Sequence, residues 1–223
     1  MKNKPSKSKN ESVQQPFFSV IITTYNRAKL VTRALDSLIA QNEKDWEALI
    51  VDDGSTDDTF SLIRHYLEQY SGTKYICKSH SGFVAAKNTG LRSATGKFVT
   101  FLDSDDEFDP IHLETRKSIL IENPSVKFLY GGVKILGTQY VPDRFNPTRK
   151  IDLADCIIGG SFFIERITAM ALNGFSNIPL GDDADLFDRA KNAGVTMMEV
   201  REPTYIYHHE TEDSITNKML SHK

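Results

Sequence analysis

Three times in its first hundred residues the chain follows a short β-branched run with an amphipathic one, and a fourth apolar run then ends in a cluster of aspartates. Phe18-Ser19-Val20-Ile21-Ile22-Thr23-Thr24 is short and β-branched, as a buried strand is. Leu30, Val31, Ala34, Leu35, Leu38 and Ile39 then recur at helical spacing. A second strand, Trp46 to Val51, stops at the turn signal Asp52-Asp53-Gly54-Ser55. Thr56 or Asp57 can cap the next helix, which carries Phe60, Leu62, Ile63, Tyr66 and Leu67. A strand over Lys74–Lys78, a helix from about Gly82 to Ser93 and a strand over Lys97–Leu102 complete the pattern. This alternation predicts an α/β fold, a Rossmann-like, mostly parallel sheet with helices on both faces. Ligands bind such sheets at the carboxyl ends of the strands. Three polar clusters stand there: Thr23-Thr24-Tyr25-Asn26, Asp52-Asp53 and Asp103-Ser104-Asp105-Asp106.

The second half is less regular. A helix is expected over Pro110–Glu122, two or three strands between Val126 and Tyr140, and a polar loop over Pro142–Lys150. Ile157–Ala171 is apolar without a clear period. A helix over Asp183–Ala193 ends at Gly194, and strands are expected over Val195–Val200 and Thr204–His208. The whole reads as one domain: a polar, disordered tail over 1–16, a ligand-binding half over 17–110 and a second half over 111–223. At 39% hydrophobic and 26% charged residues the chain can build a core. A net charge of −3 without a basic stripe argues against a nucleic-acid partner. Cys77 and Cys156 are too few for a disulfide framework and suit a reducing, cytoplasmic setting. No run has the length of a membrane span. The four lysines among the first nine residues could support only feeble, peripheral attraction to an anionic membrane face.

Two carboxylates one residue apart at a strand end suit Mg2+ or Mn2+, hard cations that take oxygen ligands and share their remaining positions with water and phosphate. Aspartates are equally at home in solvated turns. Asp52-Asp53 can accept hydrogen bonds from a base or ribose, or form a tight turn and cap. In Gly181-Asp182-Asp183-Ala184-Asp185-Leu186 a carboxylate can serve as a general base, or the acids can simply complement the helix dipole. His208 and His209 are adjacent and point to opposite faces of a strand. No zinc spacing is present.

Val20-Ile21-Ile22-Thr23-Thr24-Tyr25-Asn26-Arg27 and Ile50-Val51-Asp52-Asp53-Gly54-Ser55-Thr56-Asp57 resemble the opening of bacterial family-two glycosyltransferases of the GT-A fold. Asn88-Thr89-Gly90-Leu91, Ala94-Thr95-Gly96-Lys97 and Phe101-Leu102-Asp103-Ser104-Asp105-Asp106 continue the likeness in order. The resemblance implies that Thr24, Asn26, Asp52, Asp53, Lys87 and Asp103 contact a nucleoside-diphosphate sugar. It implies an Asp-x-Asp metal pair at Asp103 and Asp105, with Asp105 the more direct ligand and His208 a weaker candidate. Asp183 matches the presumed catalytic base, with Asp182 where relatives carry glutamate. Lys87 stands where many relatives carry arginine, and lysine offers a point charge in place of a planar fork. The processive Gln-x-x-Arg-Trp motif is absent: the only tryptophan is Trp46, preceded by Asp45.

The implied activity is an inverting, non-processive, metal-dependent hexosyl transfer. Its donor is a nucleoside-diphosphate sugar, UDP-linked by default, and its acceptor a hydroxyl of a glycan or lipid-linked molecule. The implied setting is polysaccharide biosynthesis in the cytoplasm, with peripheral contact at the inner face of the cell membrane. Two rivals stand beside it. One is a nucleotidyltransferase that makes nucleotide sugars, although no glycine-rich phosphate loop follows the first strand. The other is a non-catalytic nucleotide-sugar-binding relative. A dinucleotide oxidoreductase ranks last, because no Gly-x-Gly-x-x-Gly follows a strand.

Overall fold

A computed structural model describes residues 15–210 apart from 144, 147 and 179. The expected tail lies outside the described residues through position 14. Its last residue is held in place, for the Pro16 carbonyl accepts the Lys97 N–H at 3.0 Å.

The first half runs β1 (Phe18–Thr24), α1 (Val31–Ile39), β2 (Trp46–Asp52), α2 (Thr59–Gln69), β3 (Thr73–Cys77), α3 (Phe83–Ser93) and β4 (Phe98–Asp103). The second runs β5 (Glu107–Phe108), α4 (His112–Glu122), β6 (Phe128–Leu136), β7 (Tyr140–Pro142), β8 (Lys150–Asp152), β9 (Phe163–Glu165), α5 (Arg166–Ala171), α6 (Asp182–Asn192) and β10 (Met197–His208). Eight strands form one sheet in the order β3-β2-β1-β4-β9-β6-β10-β5, and β7 pairs with β8 in a separate hairpin.

Strands β3, β2, β1 and β4 are parallel along the sheet, the arrangement expected of strand-helix-strand connections. Alternation along β1 loads both faces. Val20 and Ile22 join a core with Ala34, Leu35, Ile63 and Leu113, beneath α1, α2 and α4. Ile21 joins the opposite core with Val84, Leu91, Ala169 and Leu186, beneath α3, α5 and α6. Helix α3 lies close to the sheet because Gly90 has no side chain to hold it away from Ile21.

The second half departs from its expected outline in two places. The apolar run over Ile157–Ala171 divides into a 3₁₀ turn at Gly159–Ser161, strand β9 and helix α5. Strand β9 runs antiparallel to both β4 and β6 and joins the two halves into one sheet. The two late strands are one strand, β10, which continues through Pro203 with a register shift between Val200 and Tyr205. A proline is tolerated there because the bulge already interrupts the ladder. Among the described residues no helix is long and apolar enough to cross a membrane.

Candidate active site

A cavity of about 520 Å3 opens at the carboxyl ends of β1, β2 and β4 and is closed on its far side by the start of α6 and the end of β10. Its wall includes Thr23 to Arg27, Asp53, His80, Phe83, Lys87, Asp103 to Asp105, Leu180 to Asp183 and Tyr207.

The β2 end is consumed by the protein's own donors. Asp53 receives Lys78 Nζ at 2.6 Å and the backbone N–H groups of Ser81 and Gly82 at 3.0 and 2.7 Å, and His80 Nδ1 stands 2.8 Å away. Burial works to raise its carboxyl, but the Lys78, Ser81 and Gly82 hydrogen bonds prevail and hold it below the usual value. One buried carboxylate thereby shapes the 78–82 loop and the entry to α3. Asp52 lies outside the cavity wall: its Oδ1 accepts Ser55 N–H at 2.8 Å and its Oδ2 accepts the Tyr75 hydroxyl at 2.5 Å. Asn26, at φ 52°, lines the cavity and accepts Thr56 N–H on its side chain. Thr24 is buried in the wall, and its hydroxyl has no hydrogen-bond partner among the described residues.

The β4 end differs. Asp103 and Asp105 both face the cavity. Burial and the neighbouring Asp103 raise the Asp105 carboxyl, against the pull of Arg27 and Arg33. Asp106 turns the other way, fully buried, and accepts the Tyr205 hydroxyl at 2.6 Å and the His208 N–H at 2.8 Å. His208 is not in the wall. Its Nε2 meets Glu107 at 2.5 Å and its Nδ1 meets Glu210 at 2.8 Å, so carboxylates engage both ring nitrogens.

Helix α6 begins at Asp182 behind Gly181, whose φ of 80° makes the turn into the helix. Its first turn aims Asp183 into the cavity, where Oδ2 accepts Gly159 N–H at 3.0 Å and Oδ1 accepts Ala184 N–H at 2.8 Å. Burial and Asp182 raise the Asp183 carboxyl, while Lys87 and these N–H groups work against the rise. Lys87 reaches from α3 to Asp182 at 3.3 Å between the rings of Phe83 and Phe175. Burial would lower its ammonium, but Asp182, Asp103 and Asp183 raise it, so the cavity keeps a fixed cation among its acids.

The donor set fits a hard divalent cation. Asp103 and Asp105 offer carboxylate oxygens from one turn, and their mutual repulsion is what a cation would relieve. Among the described residues no cluster of three His, Cys, Asp or Glu side chains could hold a metal. An ion at this pair would therefore take its other ligands from phosphate and water.

Residues 19–155 match the model of Glycosyl transferase family 2. The chain belongs to that family. Over 146 residues it is 31% identical to an Escherichia coli protein named UDP-Glc:alpha-D-GlcNAc-diphosphoundecaprenol beta-1,3-glucosyltransferase WfgD, covering 63% of this chain and 56% of that one. Over 105 residues it is 40% identical to an uncharacterised glycosyltransferase of Rickettsia felis, covering 47% of this chain and 17% of the relative. The chain thus spans only part of the length of these curated relatives. Among solved structures it resembles Staphylococcus aureus TarS in complex with UDP-GlcNAc, with a TM-score of 0.77 and 22% identity over 92% of this chain and 61% of that one. It also resembles the mannosyltransferase PcManGT of Pyrobaculum calidifontis in complex with GDP-Man and Mn2+, with a TM-score of 0.69 and 22% identity over 91% of this chain and 60% of that one. The fold of this family-2 glycosyltransferase is accordingly GT-A.

The sequence did not single out His80, Phe83 or Tyr207. Phe83 was within reach, since it precedes Lys87 by four residues on one helix and shares its face. Tyr207 alternates with His208 along β10 and therefore points the other way, where its ring stacks on His209 at 5.5 Å. His80 stacks on Tyr25 at 4.0 Å, a contact across 55 residues that no local spacing reveals.

Proposed function

We propose that this glycosyltransferase transfers one sugar from a UDP-linked donor to a hydroxyl acceptor with inversion at the anomeric carbon. The observation that carries the reading is the convergence of Asp103 at the end of β4 and Asp105 in the turn after it with Asp183 from α6 on one cavity. Thr24, Asn26, Tyr25 and the Asp53-shaped loop supply the nucleotide end, and Asp52 supports them from behind. Thr24 brings a buried hydroxyl that a base or ribose can satisfy.

Asp183 acts as the general base. Each of its oxygens accepts one backbone N–H and keeps capacity for another proton. It takes the proton of the acceptor hydroxyl as that oxygen attacks the anomeric carbon, and the bond to the diphosphate breaks on the opposite face. Its raised carboxyl is better matched to this task than an ordinary aspartate. Lys87 stabilises the ionised Asp182 and Asp183 and adds positive charge beside the departing diphosphate. Asp103 and Asp105 would hold Mn2+ or Mg2+, which supplies Lewis-acid neutralisation of the leaving group. His208, tied between Glu107 and Glu210, is left out of that ligand set.

The name of WfgD specifies a UDP-glucose donor and a lipid-diphosphate acceptor, which supports a UDP sugar and a lipid-linked acceptor here. With such an acceptor, the proposed setting is the cytoplasm at the membrane's inner face. A screen of UDP-glucose, UDP-GlcNAc and GDP-mannose, read by released nucleoside diphosphate, tests the reading. Asp183→Asn should lower turnover by about 10²–10⁴-fold and leave UDP affinity unchanged; wild-type turnover in that variant would remove Asp183 from the chemistry. Pyrophosphate release from a nucleoside triphosphate and a sugar phosphate would mark a nucleotidyltransferase instead. Nucleotide binding without turnover of any donor would mark a non-catalytic relative.

A further inference from the structure

Asp183 and the Asp103–Asp105 pair are 78 residues apart at their nearer ends, yet one short 3₁₀ turn, Gly159–Ser161, touches the supports of both. Gly159 donates its N–H to Asp183, and a Cβ at this position would stand 2.9 Å from the Asp183 Cβ. Gly160 faces the other way, where a Cβ would collide with the hydroxyl end of Tyr205. That hydroxyl donates to Asp106 at 2.6 Å. Asp106 in turn donates its own N–H to the Asp103 carbonyl at 3.0 Å, closing the turn that presents Asp103 and Asp105. The brace is itself tied down by hydrogen bonds: Ser161 Oγ donates to the Ile158 carbonyl at 2.7 Å and accepts Gly131 N–H at 3.0 Å from β6. Two successive glycines therefore seat two different parts of the cavity against one piece of backbone.

We propose that Tyr205, wedged between Gly160 and Asp106, is a positioning residue that holds the Asp103–Asp105 turn in register with Asp183. The inference rests on the metal-and-donor reading above. Tyr205 is fully buried, and Asp106 separates it from the cavity-facing carboxylates. Its effect passes through the Asp103–Asp106 turn, as residues behind metal ligands commonly act at about 10–100-fold in affinity.

Calorimetry of UDP binding with and without MnCl2 tests the assignment. Wild-type protein should bind UDP at least about tenfold more tightly with Mn2+. Tyr205→Phe, which removes only the hydroxyl, should lose most of that gain and keep the metal-free affinity for UDP. A general loss of packing would weaken both arms together, and that result would overturn the proposal, as would a full Mn2+ gain in the variant. Gly160→Ala, which displaces the same hydroxyl, serves as the second variant; if neither folds, these residues are scaffold alone and the proposal is lost. A wild-type affinity indifferent to Mn2+ would instead break the metal reading itself, before any variant is compared.

Discussion

The ends of β2 and β4 carry similar acids, Asp52-Asp53 and Asp103-Ser104-Asp105, and the fold treats them oppositely. Asp53 is surrounded by donors from the 78–82 loop and titrates low. Asp52 is spent on Ser55 and Tyr75. At β4, no hydrogen-bond donor among the described residues meets the Asp103 carboxylate, and Asp105 is raised by burial and by Asp103 itself. The first pair is built into the protein. The second faces the cavity with Arg27, Arg33 and Lys87 only partly offsetting its charge, which is the arrangement the proposed metal role requires.

The sharpest way to break this contrast is substitution at Asp105. Asp105→Ala should lower turnover by at least about 10²-fold, the loss expected when charge on a leaving group is no longer neutralised. It should also erase the effect of Mn2+ on UDP affinity while leaving the melting temperature of the ligand-free protein undiminished. An intact Mn2+ effect in calorimetry would return Asp105 to the turn residues. Asp53→Asn should behave in the reverse manner. Losing charge-assisted bonds to Lys78, Ser81 and Gly82 should cost about 2 kcal/mol of stability, read as a lower urea midpoint. Donor affinity should fall with it because the 78–82 loop loses its anchor. An unchanged midpoint would mean that the loop does not depend on this carboxylate.

The smallest effect is in the pH dependence of stability. Asp53 has a folded value below its ordinary 3.8, so its contribution is complete above pH 3.8 and is lost as pH falls through the lowered value. Asp105 has a folded value above 3.8, so its penalty is absent below pH 3.8, grows between 3.8 and the raised value, and is complete above it. Urea midpoints recorded across the acid range should show this directly. Asp105→Asn should gain on wild type as pH rises, and Asp53→Asn should lose ground over its own lower window. Parallel curves for the two variants would erase the contrast.

The first half was legible because its elements are long enough to show a period. Strand β1 was bounded at Phe18 and Thr24, and β2, α3 and β4 fell within a residue of their expected limits. Strand β9 has three residues and cannot show a period, and its partners lie about 35 and 65 residues before it in the chain. Pro203 split one strand into two on paper, because a bulge within β10 is settled by pairing with β6 and not by local sequence. At the site, the residue types could be read but their partners could not. The donors that claim Asp53 come from 25 to 29 residues downstream, and two of them are backbone N–H groups that every residue but proline possesses. The same holds for Asp183 and Gly159, and for His208, whose two carboxylates surround a ring that looked free to bind a metal.

The late insertion of β9 also bears on how the protein is made. On a ribosome, β1 to β4 emerge and can pair well before residues 163–165 are synthesised, which leaves one side of β4 bare for the intervening 60 residues. An unpaired strand flank of that kind invites intermolecular pairing. A nascent chain stalled between β8 and β9 would thus be at its most vulnerable to aggregation, and truncations ending there should be insoluble even though β1 to β4 are all present.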